Sequence, residues 1–234
     1  MRNITAHLGM MCIAAVVLTG CGQDTSTPPT PASPAARESE KTQVADLDSP
    51  ESVTVMVNKR RPLDPQNYAP KDLRKVDGEH LRVEAANSLQ QMLADMRNDG
   101  ITVTVLSAYR SYKTQESTYQ HWVKENGQFA ADQLSARPGF SEHQTGLAVD
   151  LGDGSGCDLQ ACFADTQAAQ WARENAFKYG FVLRFPADQG AVTGYTYEPW
   201  HFRYIGEDHA AAFTKSSAST LEEFYGTGPA PDYP

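Results

Sequence analysis

The stretch LAVDLG, Leu147 to Gly152, constrains the fold of this chain more than any other. Leu147, Val149 and Leu151 alternate with Ala148 and Asp150, the period of two that a strand imposes, so one face is wholly apolar and belongs on a core. The other face carries a carboxylate beside one of the smallest side chains available. A carboxylate half-buried in that way is costly unless something pairs with it. The nearest candidate partner is His143, in the preceding loop SARPGFSEHQTG, whose Pro and Gly spacing suits neither helix nor strand. Gly146 lets the chain turn from that loop into the strand.

A second stretch, YEPWHFRY, supplies the rest of a possible site. In the strand WHFRY the aromatic residues Trp200, Phe202 and Tyr204 point to one side and His201 and Arg203 to the other. The aromatics suit a core, which turns His201 towards whatever lies across the sheet. Glu198 is three residues earlier, on the opposite face of an uninterrupted strand, but Pro199 permits a bend that brings its carboxylate back. Two imidazoles, one carboxylate and an open fourth position are what catalytic zinc requires, with a free Glu as general base. Alone, either histidine reads as an ordinary hydrogen-bonded residue, and only the combination makes a metal site of them.

Around these two stretches helices and strands mix without a regular βαβ rhythm. The pattern in GEHLRVEAANSLQQMLADMRNDG, with Leu81, Ala85, Leu89, Met92, Leu93 and Met96 on one face, predicts a helix over 78–98. ITVTVLS reads as a strand and YKTQESTYQHWVKEN as a helix stopped by Gly127. A helix follows with Asp165 as N-cap, then the strands FVLRF and TYEPWHFRYIG, then a helical tail over 206–225 with Ser219 and Glu222 as a capping box. The class is therefore α+β, a small and mainly antiparallel sheet with flanking helices. His80, His121 and His209 fall in predicted helices among polar neighbours and read as solvated, Trp122 and Trp171 fit helix core faces, and Asp153 reads as a turn residue.

The two ends of the chain differ in kind. Arg2, an apolar run from Leu8 to Leu18 and the sequence Leu18-Thr19-Gly20-Cys21 read as an export signal over 1–20, since the run falls short of the roughly 20 apolar residues of a membrane span. Its end resembles the lipobox of bacterial lipoproteins, which implies lipidation of Cys21 and a protein exported and anchored on the outer face of the cell membrane. Residues 21–50, rich in Pro, Ser, Thr and charge, bury too little to fold and read as a tether reaching at most about 100 Å. The single domain is expected over 51–234. A net charge of −9 argues against nucleic acid, and no feature calls for an obligate protein partner. Cys157 and Cys162, the pair left in the folded part, are expected to close a disulfide in an oxidising compartment. The alternative is a pair of thiolate ligands, less apt because the site already has nitrogen and oxygen donors.

SEHQTGLAVD and EPWH resemble the S-x-H-x-x-G-x-A-x-D and E-x-W-H motifs of the VanY-type D-alanyl-D-alanine carboxypeptidases, a family grouped with lysostaphin-type peptidases and the hedgehog fold. The likeness runs from VNKRRPLDPQNYAPKDL to HFRYIG and includes SAYRSYKTQ. It implies one zinc ion held by His143, Asp150 and His201, with Glu198 as base. It further implies that Arg110 holds substrate and stabilises the oxyanion, and that Gln115 and Ser141 help hold the substrate's terminal carboxylate, a group for which arginine is suited. The implied activity is release of the C-terminal D-alanine from peptidoglycan stem peptides. Alternatives are an L,D-carboxypeptidase that trims tetrapeptide stems to tripeptides and a non-catalytic wall-binding lipoprotein, against which Glu198 speaks.

Overall fold

The structure, a computed structural model, describes residues 44–234. The expected export signal, the lipidated Cys21 and most of the expected tether lie outside the described residues. The tether's last residues differ from expectation: Asp46 Oδ1 accepts from the amides of Asp48 and Ser49, and the Leu47 carbonyl accepts from the Met56 amide, so ordered structure starts before 51. Among the described residues no helix is long and apolar enough to cross a membrane.

Strands β1 (Leu73–Val76) and β2 (Glu79–Arg82) form a hairpin across Asp77-Gly78, both with positive φ, the signature of a tight two-residue turn. Helix α1 begins only after it, at Val83–Asn98, not at 78. The hairpin prevails over the helical period because both of its central residues adopt φ values that a helix excludes. Strand β3 (Thr104–Ser107), helices α2 (Tyr112–Asn126) and α3 (Gln128–Leu134) and strand β4 (Ala148–Gly152) follow. Next come α4 (Gln167–Asn175), β5 (Phe181–Phe185), the single turn α5 (Gly190–Thr193), β6 (Glu198–Tyr204), α6 (Glu207–Lys215) and α7 (Leu221–Phe224). Two caps sit one residue later than expected: Thr166 caps α4 in place of Asp165, and Thr220 with Glu223 makes the capping box of α7 in place of Ser219 with Glu222.

The fold is α+β, built on a four-stranded antiparallel sheet in the order β3-β4-β6-β5. Its register fixes two unlike faces. Leu147, Val149, Leu151, Phe181, Phe202 and Tyr204 cover one side and join Leu89, Met92, Leu93 and Met96 of α1 in a single core. Each such side chain, fully buried, stabilises the fold by about 1.5–3 kcal/mol. Trp171 packs against this core as expected, while its Nε1 donates to Asp99.

The other face is polar and yet almost as inaccessible. Arg184 of β5 donates through Nε to Glu142 Oε1 at 2.8 Å and grips Glu222 of α7 with both terminal nitrogens, at 2.8 and 2.7 Å. Arg203 of β6 donates to the same Glu142 oxygen at 3.0 Å and to the carbonyls of Val53 and Val55, so it is a structural residue with no place at a substrate. Two buried arginines thus share two buried glutamates, an arrangement that tolerates low dielectric only while every member is paired. His209 also departs from expectation: it is buried in α6 against Tyr225, whereas His80 is exposed but lies on β2.

Removing one partner should therefore be severe. Glu222→Ala is expected to cost about 3–5 kcal/mol of unfolding free energy because it leaves Arg184 short of counter-charge. Asp48→Ala, which removes only an exposed partner of Arg61, should cost less than about 1 kcal/mol. Urea denaturation of both variants measures the contrast, and equal losses would contradict it.

Candidate active site

Asp150 and His201 are directly opposed residues of β4 and β6, on the polar face of the sheet. His201 Nδ1 lies 3.1 Å from Asp150 Oδ1. His143 arrives from the loop before β4, and its Nε2 lies 3.3 Å from Asp150 Oδ2. The loop is held tightly. Gln144 donates to the carbonyls of Gln66 and Tyr68 and accepts from the Gly139 amide, and the Thr145 hydroxyl donates to the Glu142 carbonyl and accepts from the Leu147 amide. Gly146 has φ +70°, and a Cβ there would stand 3.2 Å from the Arg82 backbone nitrogen, so the turn requires glycine on two counts.

Both imidazoles have their second nitrogen fixed. His143 Nδ1 is 2.7 Å from the Ala108 carbonyl, which can only accept, so Nδ1 carries the proton and Nε2 is left bare towards Asp150. His201 Nε2 faces Glu142 Oε2 at 3.4 Å, which leaves Nδ1 towards the same point. Outer contacts of this kind set the tautomer and aim of metal-binding histidines. Glu142 is thus part of the site although the two sequence motifs gave it no role; its position between Ser141 and His143 was the only signal.

Glu198 Oε2 comes within 3.6 Å of His201 Nδ1. The irregularity expected at Pro199 is present: Leu183 pairs with Phe202 but Phe185 with Glu198, so β6 carries two extra residues against β5 over this stretch, and Glu198 reaches His201 there. A cavity of about 450 Å³ opens onto these groups. His143, Asp150, Glu198, His201, Arg110 and Ser141 all line it, together with Phe140, Phe185, Tyr195 and Trp200. Trp122, assigned from sequence to a helix core face, is only half-buried and lines the cavity as well.

Gln115 is placed otherwise than the resemblance implied. It is fully buried and absent from the cavity wall; its amide nitrogen donates to Ser135 Oγ and the Ala136 carbonyl, and its oxygen accepts from Arg110 Nη1 at 2.9 Å. With both donor hydrogens spent, it has none to offer a carboxylate. It orients Arg110 instead, whose other terminal nitrogen donates to Ser107 Oγ at 3.0 Å. Cys157 and Cys162 form the expected disulfide, with Cα atoms 5.4 Å apart, so they are not thiolate ligands.

The site's field follows from its burial and its charges. Burial pushes the His201 imidazolium down, but Asp150, Glu142 and Glu198 outweigh it and raise the group to about 9. His143 moves the other way, because burial lowers it more than Asp150 raises it. Burial raises Asp150, yet the two histidines hold it well below the usual carboxylate range. Burial, helped by Asp150, raises Glu198 to about 7, against the pull of His201 and Arg110.

The donors fit zinc. One atom from each of His143, Asp150 and His201 lies within 4.8 Å of the others. Asp150 Oδ1 is buried and makes no hydrogen bond, although His201 Nδ1 lies 3.1 Å away, and a cation held by both atoms would satisfy it. Two imidazole nitrogens and a carboxylate oxygen leave a fourth tetrahedral position open.

A buried His-Asp-His set with a free glutamate beside it, under an open cavity, defines the class of metal-dependent peptidases. The profile of the VanY D-alanyl-D-alanine carboxypeptidases matches residues 78–207, and the chain belongs to that family. It is 35% identical over 178 residues to the bifunctional D-Ala-D-Ala dipeptidase and D-Ala-D-Ala carboxypeptidase VanXYC of Enterococcus gallinarum, covering 73% of this chain and 92% of that protein. It is 31% identical over 189 residues to a D-alanyl-D-alanine carboxypeptidase of Enterococcus faecalis, covering 77% of this chain and 68% of that one. Among solved structures it resembles the LD-carboxypeptidase LdcB, with a TM-score of 0.69, 37% identity and coverage of 76% of this chain and 87% of that one. It also resembles a mutant of the vancomycin resistance D,D-pentapeptidase VanY in complex with Zn(II), with a TM-score of 0.64, 30% identity and coverage of 75% and 99%. The chain is accordingly a metallocarboxypeptidase of the zinc-dependent kind.

A proton on His201 must leave before Nδ1 can ligate. Since the folded group is raised from 6.5 to about 9, its protonation stabilises the metal-free protein fully below pH 6.5, and that stability is lost as pH rises through 9. Zinc affinity runs the opposite way. It should climb about tenfold per pH unit through this window and then flatten, as expected when a ligand must shed one proton. Competition titration of the metal-free protein against a chelator measures it, and a flat profile contradicts the assignment.

Proposed function

We propose that the protein removes the C-terminal D-alanine from peptidoglycan stem peptides ending in D-Ala-D-Ala. The observation that carries this reading is the pairing, in one cavity, of a buried His-Asp-His set with Arg110, whose guanidinium is pre-aimed by Gln115 and Ser107. His143, Asp150 and His201 would hold the zinc, which when bound supplies Lewis acidity towards the scissile carbonyl and a water. Arg110 pairs with the free terminal carboxylate and sets which bond is presented, while Ser141 lines the same cavity. Glu198, raised to about 7, takes the proton of the attacking water as the oxygen–carbon bond forms. It returns that proton to the amine nitrogen as the carbon–nitrogen bond breaks, so it ends the cycle ionised as it began.

A second reading, trimming of tetrapeptide stems to tripeptides, is supported by the likeness to LdcB and to an L,D-carboxypeptidase DacB from Streptococcus pneumonia, at 36% identity and a TM-score of 0.63. The metal set, base and arginine serve both reactions equally. Penultimate-residue fit is what divides them.

Released D-alanine from purified pentapeptide and tetrapeptide stems, followed by mass spectrometry with the zinc-loaded protein, separates the readings. Release from the pentapeptide alone supports the first and from the tetrapeptide alone the second; release from neither overturns both. Glu198→Ala should retain zinc and lose about 10²–10⁴-fold in kcat, the range of a general base. Undiminished turnover in that variant would remove Glu198 from the mechanism.

A further inference from the structure

Five large apolar side chains are exposed among the described residues: Val44, Val83, Phe129, Leu134 and Leu159. Two of the five, Leu134 and Leu159, line the cavity of the metal set, at 41% and 51% exposure. His201 and Asp150 in the same cavity are buried, so the leucines stand at its mouth and the reacting groups at its floor. They come from unrelated elements. Leu134 is the last residue of α3, and Leu159 lies inside the Cys157–Cys162 loop.

Leu159 is held in place against its own preference. Its φ is +55°, the left-handed region that a bulky side chain seldom occupies. The loop is fixed at several points. The disulfide closes it, Cys157 packs against the main core, and Asp158 Oδ1 accepts from the amides of Asp153 and Gly154 at 3.0 and 3.3 Å. Gln160 then turns back, donating from its backbone N–H to the Cys157 carbonyl. A strained backbone residue that presents an apolar side chain to solvent contributes nothing to the core. Strain of that kind persists where the surroundings over-determine it, and it concentrates at ligand clamps.

We propose that Leu159, with Leu134, is a specificity-determining contact for the aliphatic side chain of the residue just upstream of the terminal dipeptide. This rests on the carboxypeptidase reading. A carboxylate held by half-buried Arg110 inside the cavity, with its scissile bond at the buried metal set, requires the rest of the peptide to leave through the mouth. At ~3.5 Å per extended residue, the third residue from the end lies about 7–10 Å from the carboxylate, at the level of a rim. A side chain with several methylenes there covers the two leucines and is covered by them, whereas a glycine covers neither. The disulfide's part is to keep Leu159 at the rim when no peptide is present, so that no ordering of the loop is required on binding.

The test compares acetyl-Lys-D-Ala-D-Ala with acetyl-Gly-D-Ala-D-Ala, in which the varied residue is third from the end. The wild-type full chain, zinc-loaded, should prefer the lysine peptide in kcat/KM. Leu159→Ser should raise KM for the lysine peptide by about tenfold, the scale set by a lost apolar pocket contact, with kcat and the glycine peptide unchanged. The double variant Cys157→Ser/Cys162→Ser should lose discrimination in the same direction, with thermal unfolding confirming that the domain remains folded. Unaltered discrimination in Leu159→Ser overturns the inference, as does an equal wild-type preference for both peptides. Cleavage of neither peptide by the wild type overturns the D-Ala-D-Ala carboxypeptidase reading, on which the inference rests, instead.

Discussion

The cross-strand pair of Asp150 and His201 is the contact on which the rest of the structure depends. A strand can carry a buried carboxylate only if its neighbour presents a partner at the same level, and the antiparallel register of β4 and β6 does so without a loop between them. A shift of one residue would send Asp150 towards Val149's core and expose Phe202, which the apolar face forbids. The hydrophobic pattern of the sheet therefore fixes the site geometry as firmly as any contact within the site.

Behind that pair stands a second shell of charge with an unusual reach. Glu142, one residue from His143, fixes His201 through one oxygen and is itself fixed by Arg184 and Arg203 through the other. Arg184 in turn grips Glu222 of α7, to which Asn58 of the early chain also donates. Residues far apart in sequence thereby converge on the orientation of one imidazole. Such a lattice is weak evidence for stability as such, since burying the charges costs as much as pairing them returns. Its evident effect is rigidity at the metal set.

Both halves of the site were legible in sequence because a metal set and its base impose local spacing: His143 and Asp150 flank one strand entry, and Glu198 and His201 share one strand. What lay hidden was set by tertiary contact. Leu81 fits the helical period of α1 and so concealed the β1–β2 hairpin, although Asp77-Gly78 was there as a turn signal. Gln115 was read as a holder of the substrate's carboxylate, and only its contacts with Arg110 and with Ser135 and Ala136, twenty residues on, show that its amide is engaged within the protein. Nothing in the spacing of Arg184, Arg203 and Glu222 marks them as partners of Glu142. Leu159 was hidden for the same reason, since a leucine within a disulfide loop carries no sign of the cavity it borders.

His143, Asp150 and His201 are together proposed to hold one zinc ion. X-ray absorption at the zinc edge of the full chain tests it most directly. The expected result is one zinc per chain in a shell of nitrogen and oxygen at about 2.0–2.2 Å, with the outer-shell scattering of two imidazoles and of one only in His201→Ala. A sulfur shell near about 2.3 Å, or a shell with no imidazole scattering, would contradict it.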